Sequence, residues 1–438
     1  MNSSHISTAW PERGSRLGLR GLIDSALSFE AVFAAFLLSG TYKATSIGQA
    51  LHVDATLLTG CLTVVVGVVL VVRSGGFPRV AVPALLSGFL VIAWLGATVA
   101  WSSGSDQVLA DTLRGLVLVG VAFAGAVCVV ATDERRVVRF LHIFAAFGVV
   151  LVMITFNIIP ATDGLSATAA SSRIARGVAM AVGAQVLLVV GLSPEYRGWM
   201  RVGALFLSVI YLAGVLFAGT RQALIGIILS FPILMPMGLR AARRSKAMAF
   251  AFGGVLIVIA VSAGPRVVRS LQTINRLEIF LSGRLGNSGD IRVARLRSAI
   301  DGFEAAPLLG NGVGSFGHVW GGNPMDYPHN AVAEVMFDGG VVGLLLFTFL
   351  CAFTVFRFTL EVPWLAGLCR YALPCTLISI GFSALVSNTI TDNRLTWGFL
   401  GLCTIHALAR SAGPAENPGG IANSVSYSAI SRAHPEVG

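Results

Sequence analysis

Charge is scarce in this chain. Only 12% of its 438 residues are Asp, Glu, Lys or Arg, whereas 55% are hydrophobic and the mean hydropathy is +0.80. A soluble domain of this size needs far more charge to cover its surface, so the composition excludes one. Apolar runs of about 17–25 residues, long enough to cross a hydrocarbon core, recur along the sequence. The sequence therefore predicts an all-α polytopic membrane protein.

Lysine and paired metal ligands are also lacking. Only Lys43 and Lys246 are present, so the formal net charge of +10 comes almost wholly from arginine. In a soluble protein this positive charge would suggest a nucleic-acid partner, but in a membrane protein arginines in alternate loops fix the orientation. We therefore predict no nucleic-acid partner. The six cysteines include no CxxC pair, and no DxD pair occurs anywhere. We predict neither a metal site nor a cofactor.

Hydropathy divides the chain into about twelve predicted transmembrane helices and one large outward loop. The predicted spans are residues 25–41, 55–72, 80–100, 109–131, 137–159, 177–192, 201–218, 223–239, 247–263, 332–356, 365–387 and 395–410. Arginine-bearing loops alternate with loops nearly free of basic residues, so the positive-inside rule places both termini in the cytoplasm. The predicted organisation is a cytoplasmic segment at 1–24, nine spans within 25–263, the outward loop at 264–331, three spans within 332–410 and a disordered cytoplasmic tail at 411–438.

The outward loop contains two predicted amphipathic helices. Residues 265–281 carry apolar side chains on one helical face, and a second helix is predicted to begin at Asp290, a suitable N-cap. Arg292 and Arg295 are three residues apart, so they project together from this second helix. The pair suits a diphosphate, whose charge is spread over several oxygens. A solvated helix face or a contact with anionic lipid headgroups explains the pair equally well.

Two ionisable residues are predicted near the membrane boundary. Arg221, in the sequence AGTRQAL, is costly at that depth unless it faces a cavity or an anionic partner. It either binds a phosphate through its guanidinium or reaches the interface without a ligand. Asp338 follows inside the tenth span, where it either serves a site or hydrogen-bonds a neighbouring helix. Arg114 in the fourth span is one candidate partner for it.

A His-Asn pair, His329 and Asn330, precedes the tenth span. Pro328 fixes its own φ and restricts the residue before it, so this turn can present the imidazole rigidly towards a cavity. A neutral histidine can take a proton from a sugar hydroxyl, although a hydrogen-bonded interfacial histidine is the plainer alternative. His318 and Asp326 lie nearby but match no recognised metal-ligand spacing. The glycines at 310–317 predict a tight turn, because no βαβ unit surrounds them.

Three segments resemble the O-antigen ligase and O-antigen polymerase superfamily of bacterial envelope enzymes. They are GTRQAL at 219–224, DIRVARLRSAIDGFEAAPLLGNGVGSF at 290–316 and YPHNAVAEVMFDGGVVGLLLF at 327–347. The predicted topology, about twelve spans with one large periplasmic loop late in the chain, also resembles that of the superfamily. The chain departs from the pattern twice. Asp338 stands where a glutamate is usual, and SSRIARGVAM at 171–180 lacks an asparagine often found there.

The resemblance implies a metal-independent, inverting glycosyltransferase of the bacterial inner membrane that acts at the periplasmic face. Its donor would be an undecaprenyl-diphosphate-linked oligosaccharide, and its acceptor a glycan, lipid A-core or a protein hydroxyl. His329 would deprotonate the acceptor, and Arg221 with Arg292 or Arg295 would hold the diphosphate. The remaining substrate-binding candidates are Asn330 and Asp338. Grooves between spans would hold the polyprenyl chain among membrane lipids, and the resemblance leaves open a separate chain-length regulator.

The segments YPHN and TDNRLTWGF (391–399) favour a polymerase of O-antigen or exopolysaccharide over a lipid A-core ligase. The alternative from another class is a twelve-span transporter or lipid-linked glycan flippase. Such proteins are often built from related halves with sites near the midplane. This chain shows no internal repeat, and its polar candidates cluster at the outer face, so we favour the enzyme. A structural envelope protein without chemistry is the third alternative.

Overall fold

The structure is a computed structural model. It describes residues 28–42, 54–76, 79–159, 167–244, 253–254, 287–324, 326–365, 367–387, 389–391 and 393–404. Within these ranges the regular elements are all helical. The α-helices are α1 (Phe29–Tyr42), α2 (Ala55–Arg73), α3 (Val82–Ala97), α4 (Asp106–Gly125), α5 (Glu134–Thr155), α6 (Ala167–Leu192), α7 (Gly198–Phe217), α8 (Arg221–Arg244), α9 (Asn287–Ala305), α10 (Phe316–Trp320), α11 (Ala331–Glu361), α12 (Gly367–Val386) and α13 (Arg394–Leu402).

Nine helical segments of the described residues are long and apolar enough to cross a membrane. They are Ala55–Arg73, Arg79–Trp101, Asp106–Val130, Glu134–Thr155, Arg173–Leu192, Gly198–Phe217, Arg221–Arg244, Ala331–Trp364 and Gly367–Val386. Each corresponds to one of the predicted spans. The prediction of a multi-pass helical membrane protein is therefore confirmed.

The predicted count of twelve spans is not confirmed. The first predicted span corresponds to α1, which has 14 residues, and the last to α13, which has nine. At 1.5 Å per residue these helices are about 21 and 14 Å long, short of a hydrocarbon core of about 30 Å. The predicted ninth span, the helix predicted at 265–281, the segment 1–24 and the tail 411–438 lie almost wholly outside the described residues.

The two short helices are buried inside the bundle. Phe33 of α1 packs against Phe140 of α5, and Phe399 of α13 packs edge-on against Phe144, with ring centroids 5.6 and 5.5 Å apart. Arg394, the first residue of α13, donates to the Ser39 hydroxyl at 2.7 Å and to the Phe36 carbonyl at 3.3 Å. These helices are apolar because they pack against other helices, which explains why hydropathy predicts them as spans.

Large apolar side chains cover the outside of several spans. Val72 and Val65 of α2 are 70% and 60% exposed, as expected of a lipid-facing helix. By contrast, α6 is central: 83% of its span is buried, against 22% for α2. Gln185 of α6 donates to Ser230 of α8 at 2.8 Å and to Ser379 of α12 at 2.6 Å, which joins the three helices through a buried polar cluster.

The described part of the predicted outward loop comprises α9, α10 and the turns around them. Helix α9 begins at Asn287, three residues before the predicted start, so Asp290 lies in its first turn and is not its N-cap. An acidic residue in this turn still interacts favourably with the helix dipole. Helix α9 packs on the first half of α11. Ala299 of α9 and Phe337 of α11 are fully buried together with Phe316.

Candidate functional site

The His-Asn pair forms the entrance to α11. Asn330 is the N-cap, and its Oδ1 accepts hydrogen bonds from the backbone N–H groups of Val332 and Ala333 at 2.9 and 3.0 Å. His329 has a φ of +59°, in the left-handed region that non-glycine residues rarely adopt. Such a conformation persists only where the surroundings hold it, and it is concentrated at functional sites. The cap accounts for Asn330 without a ligand; its role in substrate binding stays a prediction.

Arg295 of α9 lies against His329. One guanidinium nitrogen, Nη1, donates to His329 Nε2, and the other, Nη2, forms a salt bridge with Asp326 Oδ2 at 2.8 Å. The side chains of Arg295 and Asp326 are only 15% and 21% exposed, so water screens this pair less than a surface salt bridge. The structure thus brings together two residues that sequence reasoning proposed separately.

The ring of Tyr327 packs against the imidazole of His329. The two ring centroids lie 4.2 Å apart, and the rings are tilted by 54°. The Tyr327 hydroxyl donates to the Ser387 carbonyl at 3.1 Å, which joins this turn to the end of α12. Burial, and less strongly the Glu334 carboxylate, raise the pKa of Tyr327 to about 12, so its hydroxyl remains a donor at neutral pH.

Burial is the main cause of the altered acidity of His329. It lowers the pKa from its ordinary 6.5 to about 4, helped by the positive charges of Arg295 and Arg292 and opposed by Asp326 and the Ser387 carbonyl. The imidazole is therefore neutral at pH 7. Because a guanidinium only donates, Nε2 is the acceptor and the ring proton is assigned to Nδ1, which is buried without a hydrogen bond of ordinary geometry.

Glu334 is a buried acid that sequence reasoning missed. It is 4% exposed, and its two carboxylate oxygens accept hydrogen bonds from the Thr389 hydroxyl and, at 2.9 Å, from the Ile390 backbone N–H. These bonds hold the segment between α12 and α13 against the start of α11. A signal for it existed, since Asn330, Glu334 and Asp338 recur every four residues and so share one face of a helix.

Asp338 lies one turn further along α11 and is 3% exposed. The suggested pairing of Asp338 with Arg114 is wrong. Arg114 forms its salt bridge with Asp54 instead, and Asp54 also caps α2 by accepting from the Thr56 backbone N–H at 2.9 Å. Arg114 and Asp54 therefore neutralise each other between α2 and α4, and Asp338 is not the partner of Arg114. A role for Asp338 in binding substrate stays a prediction.

The glycine-rich loop after α9 docks on a break in α11 at Gly340, whose φ of +63° and ψ of −159° are not helical. At the break, Asn311 N–H donates to the Phe337 carbonyl at 2.8 Å and Gly312 N–H to the Asp338 carbonyl at 3.0 Å. Beyond it, the Val341 N–H donates to the Pro307 carbonyl at 2.8 Å. The loop therefore replaces the hydrogen bonds that the broken helix loses, which fits the predicted tight turn.

Glycine is required at these positions because backbone approaches backbone. A Cβ on Gly340 would lie 2.4 Å from the Leu308 carbonyl oxygen, and a Cβ on Gly310 would lie 2.5 Å from the Asp338 carbonyl oxygen. Two indoles of the α3 region complete the docking. Trp94 donates to the Gly339 carbonyl at 2.9 Å, and Trp101 donates to the Gly310 carbonyl at 3.1 Å. The loop and the start of α11 thus form one rigid support for His329.

Arg292 and Arg221 lie around this centre at different places. Arg292 is exposed, one turn before Arg295 on α9, and its charge acts on both His329 and Tyr327. Arg221 is the half-buried first residue of α8. The next residue, Gln222, donates to Ser383 of α12 at 3.1 Å, one turn before Ser387. Arg221 therefore lies at the same end of the bundle as the His329 turn.

The side chains of this centre suit proton transfer and anion binding. They comprise a neutral imidazole, guanidinium groups and a phenol that donates, and buried acids hold the surrounding segments together. Within the part of the chain that the structure describes, no three His, Cys, Asp or Glu side chains cluster closely enough to hold a metal ion.

Comparison with known proteins locates the centre within a recognised family domain. The family model described as O-antigen ligase matches residues 204–348, from α7 to the first half of α11. This range includes all six residues proposed from sequence: Arg221, Arg292, Arg295, His329, Asn330 and Asp338. A search of curated proteins found no match. The family match confirms the resemblance seen in the motifs: residues 204–348 are similar to the O-antigen ligase family, which supports the O-antigen ligase/polymerase superfamily.

Proposed function

We propose that this protein is an inner-membrane glycosyltransferase that moves a glycan from undecaprenyl diphosphate to an acceptor hydroxyl at the periplasmic face. The observation that carries the proposal is the contact between Arg295 and a neutral His329 at the entrance of a membrane span, inside the O-antigen ligase domain. A base and an anion-binding cation are the two groups that transfer from a diphosphate requires.

In the proposed reaction, His329 Nε2 takes the proton of the acceptor hydroxyl. The acceptor oxygen then attacks the anomeric carbon of the donor glycan. The bond from that carbon to the diphosphate oxygen breaks, and the electron pair leaves with undecaprenyl diphosphate. Attack opposite to the leaving group inverts the anomeric configuration. Tyr327 and the Asn330 cap support the orientation of the imidazole during this step.

The arginines stabilise the charge of the leaving diphosphate. Arg292 and Arg295 are on one helix beside His329, and Arg221 is at the same end of the bundle. Guanidinium groups bind phosphate oxygens bidentately, and they can stabilise the leaving group directly without a divalent ion. The proposal is therefore a metal-independent mechanism, with the polyprenyl chain held along the apolar outer surface of the spans.

Between the two branches of the superfamily, we favour a polymerase of O-antigen or exopolysaccharide over a lipid A-core ligase. The preference rests on YPHN and on TDNRLTWGF. Residues of the second segment also stabilise the fold. Asn393 caps α13 by accepting from the Thr396 N–H at 3.1 Å, and Trp397 donates to the Ile390 carbonyl at 2.8 Å. The Ile390 segment in turn contacts Glu334 beside the site.

The glycan profile of a deletion strain tests the proposal. The strain is complemented with wild type, His329→Ala or Arg221→Ala at matched membrane expression. A polymerase predicts single-repeat product with either variant, whereas a ligase predicts accumulated lipid-linked polymer and unmodified lipid A-core. Donor that accumulates in the cytoplasmic leaflet would indicate a flippase instead. A wild-type ladder from both variants would show that the proposed chemistry is wrong.

A further inference from the structure

In the structure, the guanidinium of Arg295 donates a hydrogen bond to Nε2 of His329, which is the atom that must act as the base. The donor nitrogen is Nη1, while Nη2 holds Asp326 Oδ2 at 2.8 Å. A guanidinium has no acceptor and keeps its proton in proteins, so it cannot receive the acceptor's proton. The other ring nitrogen is buried. While this contact is intact, His329 has no free lone pair to offer an acceptor hydroxyl.

Asp326 is the residue that keeps Arg295 in this place. It lies three residues before His329, across a short turn, and its carboxylate binds Nη2, the guanidinium nitrogen that does not contact the imidazole. Gly322 makes the approach of this turn possible, because a Cβ there would lie 2.7 Å from Asp326 Oδ2. Charge-assisted hydrogen bonds of this kind are about twice as strong as neutral ones, and partial burial strengthens them further.

We propose that Asp326 is a positioning residue that holds Arg295 on His329. When the diphosphate of the donor binds, Arg295 leaves His329 and binds the diphosphate instead. Donor binding then frees Nε2, and only afterwards can an acceptor hydroxyl be deprotonated. This inference rests on the proposed function and adds an order of events to it. The base is available when, and only when, a leaving group is in place.

The charges around the site favour this exchange. A diphosphate offers several anionic oxygens to Arg295, whereas Asp326 offers one carboxylate and His329 only a neutral nitrogen. Arg292 is exposed one turn earlier on the same helix, so it can contact the incoming diphosphate first. A planar guanidinium matches two phosphate oxygens at once, which further favours transfer of Arg295.

Chemical labelling of His329 tests the proposal directly. Diethyl pyrocarbonate acylates an imidazole only through a free ring nitrogen. The purified full-length protein in nanodiscs is labelled at pH 7, and the modified residues are quantified by mass spectrometry. The exposed His318, eleven residues earlier in the chain, is the internal reference. Inorganic pyrophosphate serves as the diphosphate probe, with sodium chloride at equal ionic strength as the control.

The expected result is slow labelling of His329 that pyrophosphate accelerates roughly tenfold or more, the scale of one hydrogen bond to a charged group. Labelling of His318 stays constant. Asp326→Asn should label His329 faster without pyrophosphate, and Arg295→Ala should label it fast with no further response. Labelling of wild-type His329 that is unchanged or slowed by pyrophosphate would overturn the proposal.

Activity separates a failure of this inference from a failure of the proposed function. If His329→Ala abolishes product but pyrophosphate leaves labelling unchanged, the glycosyltransferase assignment stands and the release of Nε2 by diphosphate is wrong. Asp326→Asn should retain turnover at saturating donor, because it leaves the base and the arginines in place. If Asp326→Asn is inactive although its His329 labels at the wild-type rate, Asp326 does not act by positioning Arg295.

Discussion

Replacing Arg295 by alanine should shift the pH dependence of the enzyme towards higher pH. Burial and two arginines hold the pKa of His329 at about 4 instead of 6.5. Burial is the larger cause and remains in the variant, so the pKa should rise only part of the way. Losing one neighbouring positive charge corresponds to a change of about one unit, to a pKa of about 5.

The size of the effect follows from the fraction of neutral imidazole. At pH 5, a group with a pKa of about 4 is roughly 90% neutral, whereas one with a pKa of about 5 is roughly 50% neutral. The pKa is lowered in the folded protein, so the base form persists as the pH falls and is lost only through the folded-state value. Relative to its own plateau, kcat/KM at pH 5 should be about 0.9 in wild type and about 0.5 in Arg295→Ala.

The assay is kcat/KM for the lipid-linked donor between pH 4 and 8, because this parameter reports the free enzyme. Each profile is normalised to its plateau, so weaker donor binding by the variant changes its height and not its shape. Arg297→Ala is the matched control, since Arg297 is exposed on the same helix and is not among the charges that act on His329. Superimposable profiles of wild type and Arg295→Ala would show that the charge of Arg295 does not lower the pKa of His329.

Further predictions concern the support of the site. Gly340→Ala should lower thermal stability in detergent by at least about 1–3 kcal/mol, because its backbone conformation excludes a side chain, whereas Gly381→Ala, with open space around it, should be neutral. Asn330→Ala should cost about 1 kcal/mol through loss of the N-cap and leave the normalised pH profile unchanged. Glu334→Ala leaves two donors without their acceptor and should cost about 1–3 kcal/mol, measured by the same melting assay. EDTA should leave the rate of glycan transfer unchanged if the arginines alone stabilise the leaving group, and a loss that Mg²⁺ restores would contradict this.

The sequence predicts the class of fold well because the bilayer imposes a long apolar run on each span. Hydropathy alone does not confirm the count of twelve spans, because a helix buried inside the bundle is as apolar as one in lipid. Helices α1 and α13 show this directly: Phe33 and Trp397 are fully buried by protein. The break at Gly340 also escapes hydropathy, since a kinked span is as apolar as a straight one. The break becomes evident only in the structure, where the glycine-rich loop hydrogen-bonds backbone carbonyls of α11.

The candidate site was predictable where residues are close in sequence. His329 and Asn330 are adjacent, and the spacing of Arg292 and Arg295 places them on one helix face. Both pairs can therefore be recognised from the sequence alone. The contact between Arg295 and His329 spans 34 residues and depends on how α9 packs on α11. Likewise, the pairing of Arg114 with Asp54 joins residues 60 positions apart. Such pairs follow from packing and carry no signal in spacing.

Glycan transfer by the purified protein, reconstituted in liposomes with a polyprenyl-diphosphate-linked oligosaccharide, tests the proposed role of His329 most directly. Release of polyprenyl diphosphate and the anomeric configuration of the new linkage are measured for wild type, His329→Ala and the Arg297→Ala control. We predict an inverted linkage from wild type and the control, and no product from His329→Ala. A retained configuration, or full activity of His329→Ala, would contradict the role of His329 as the base.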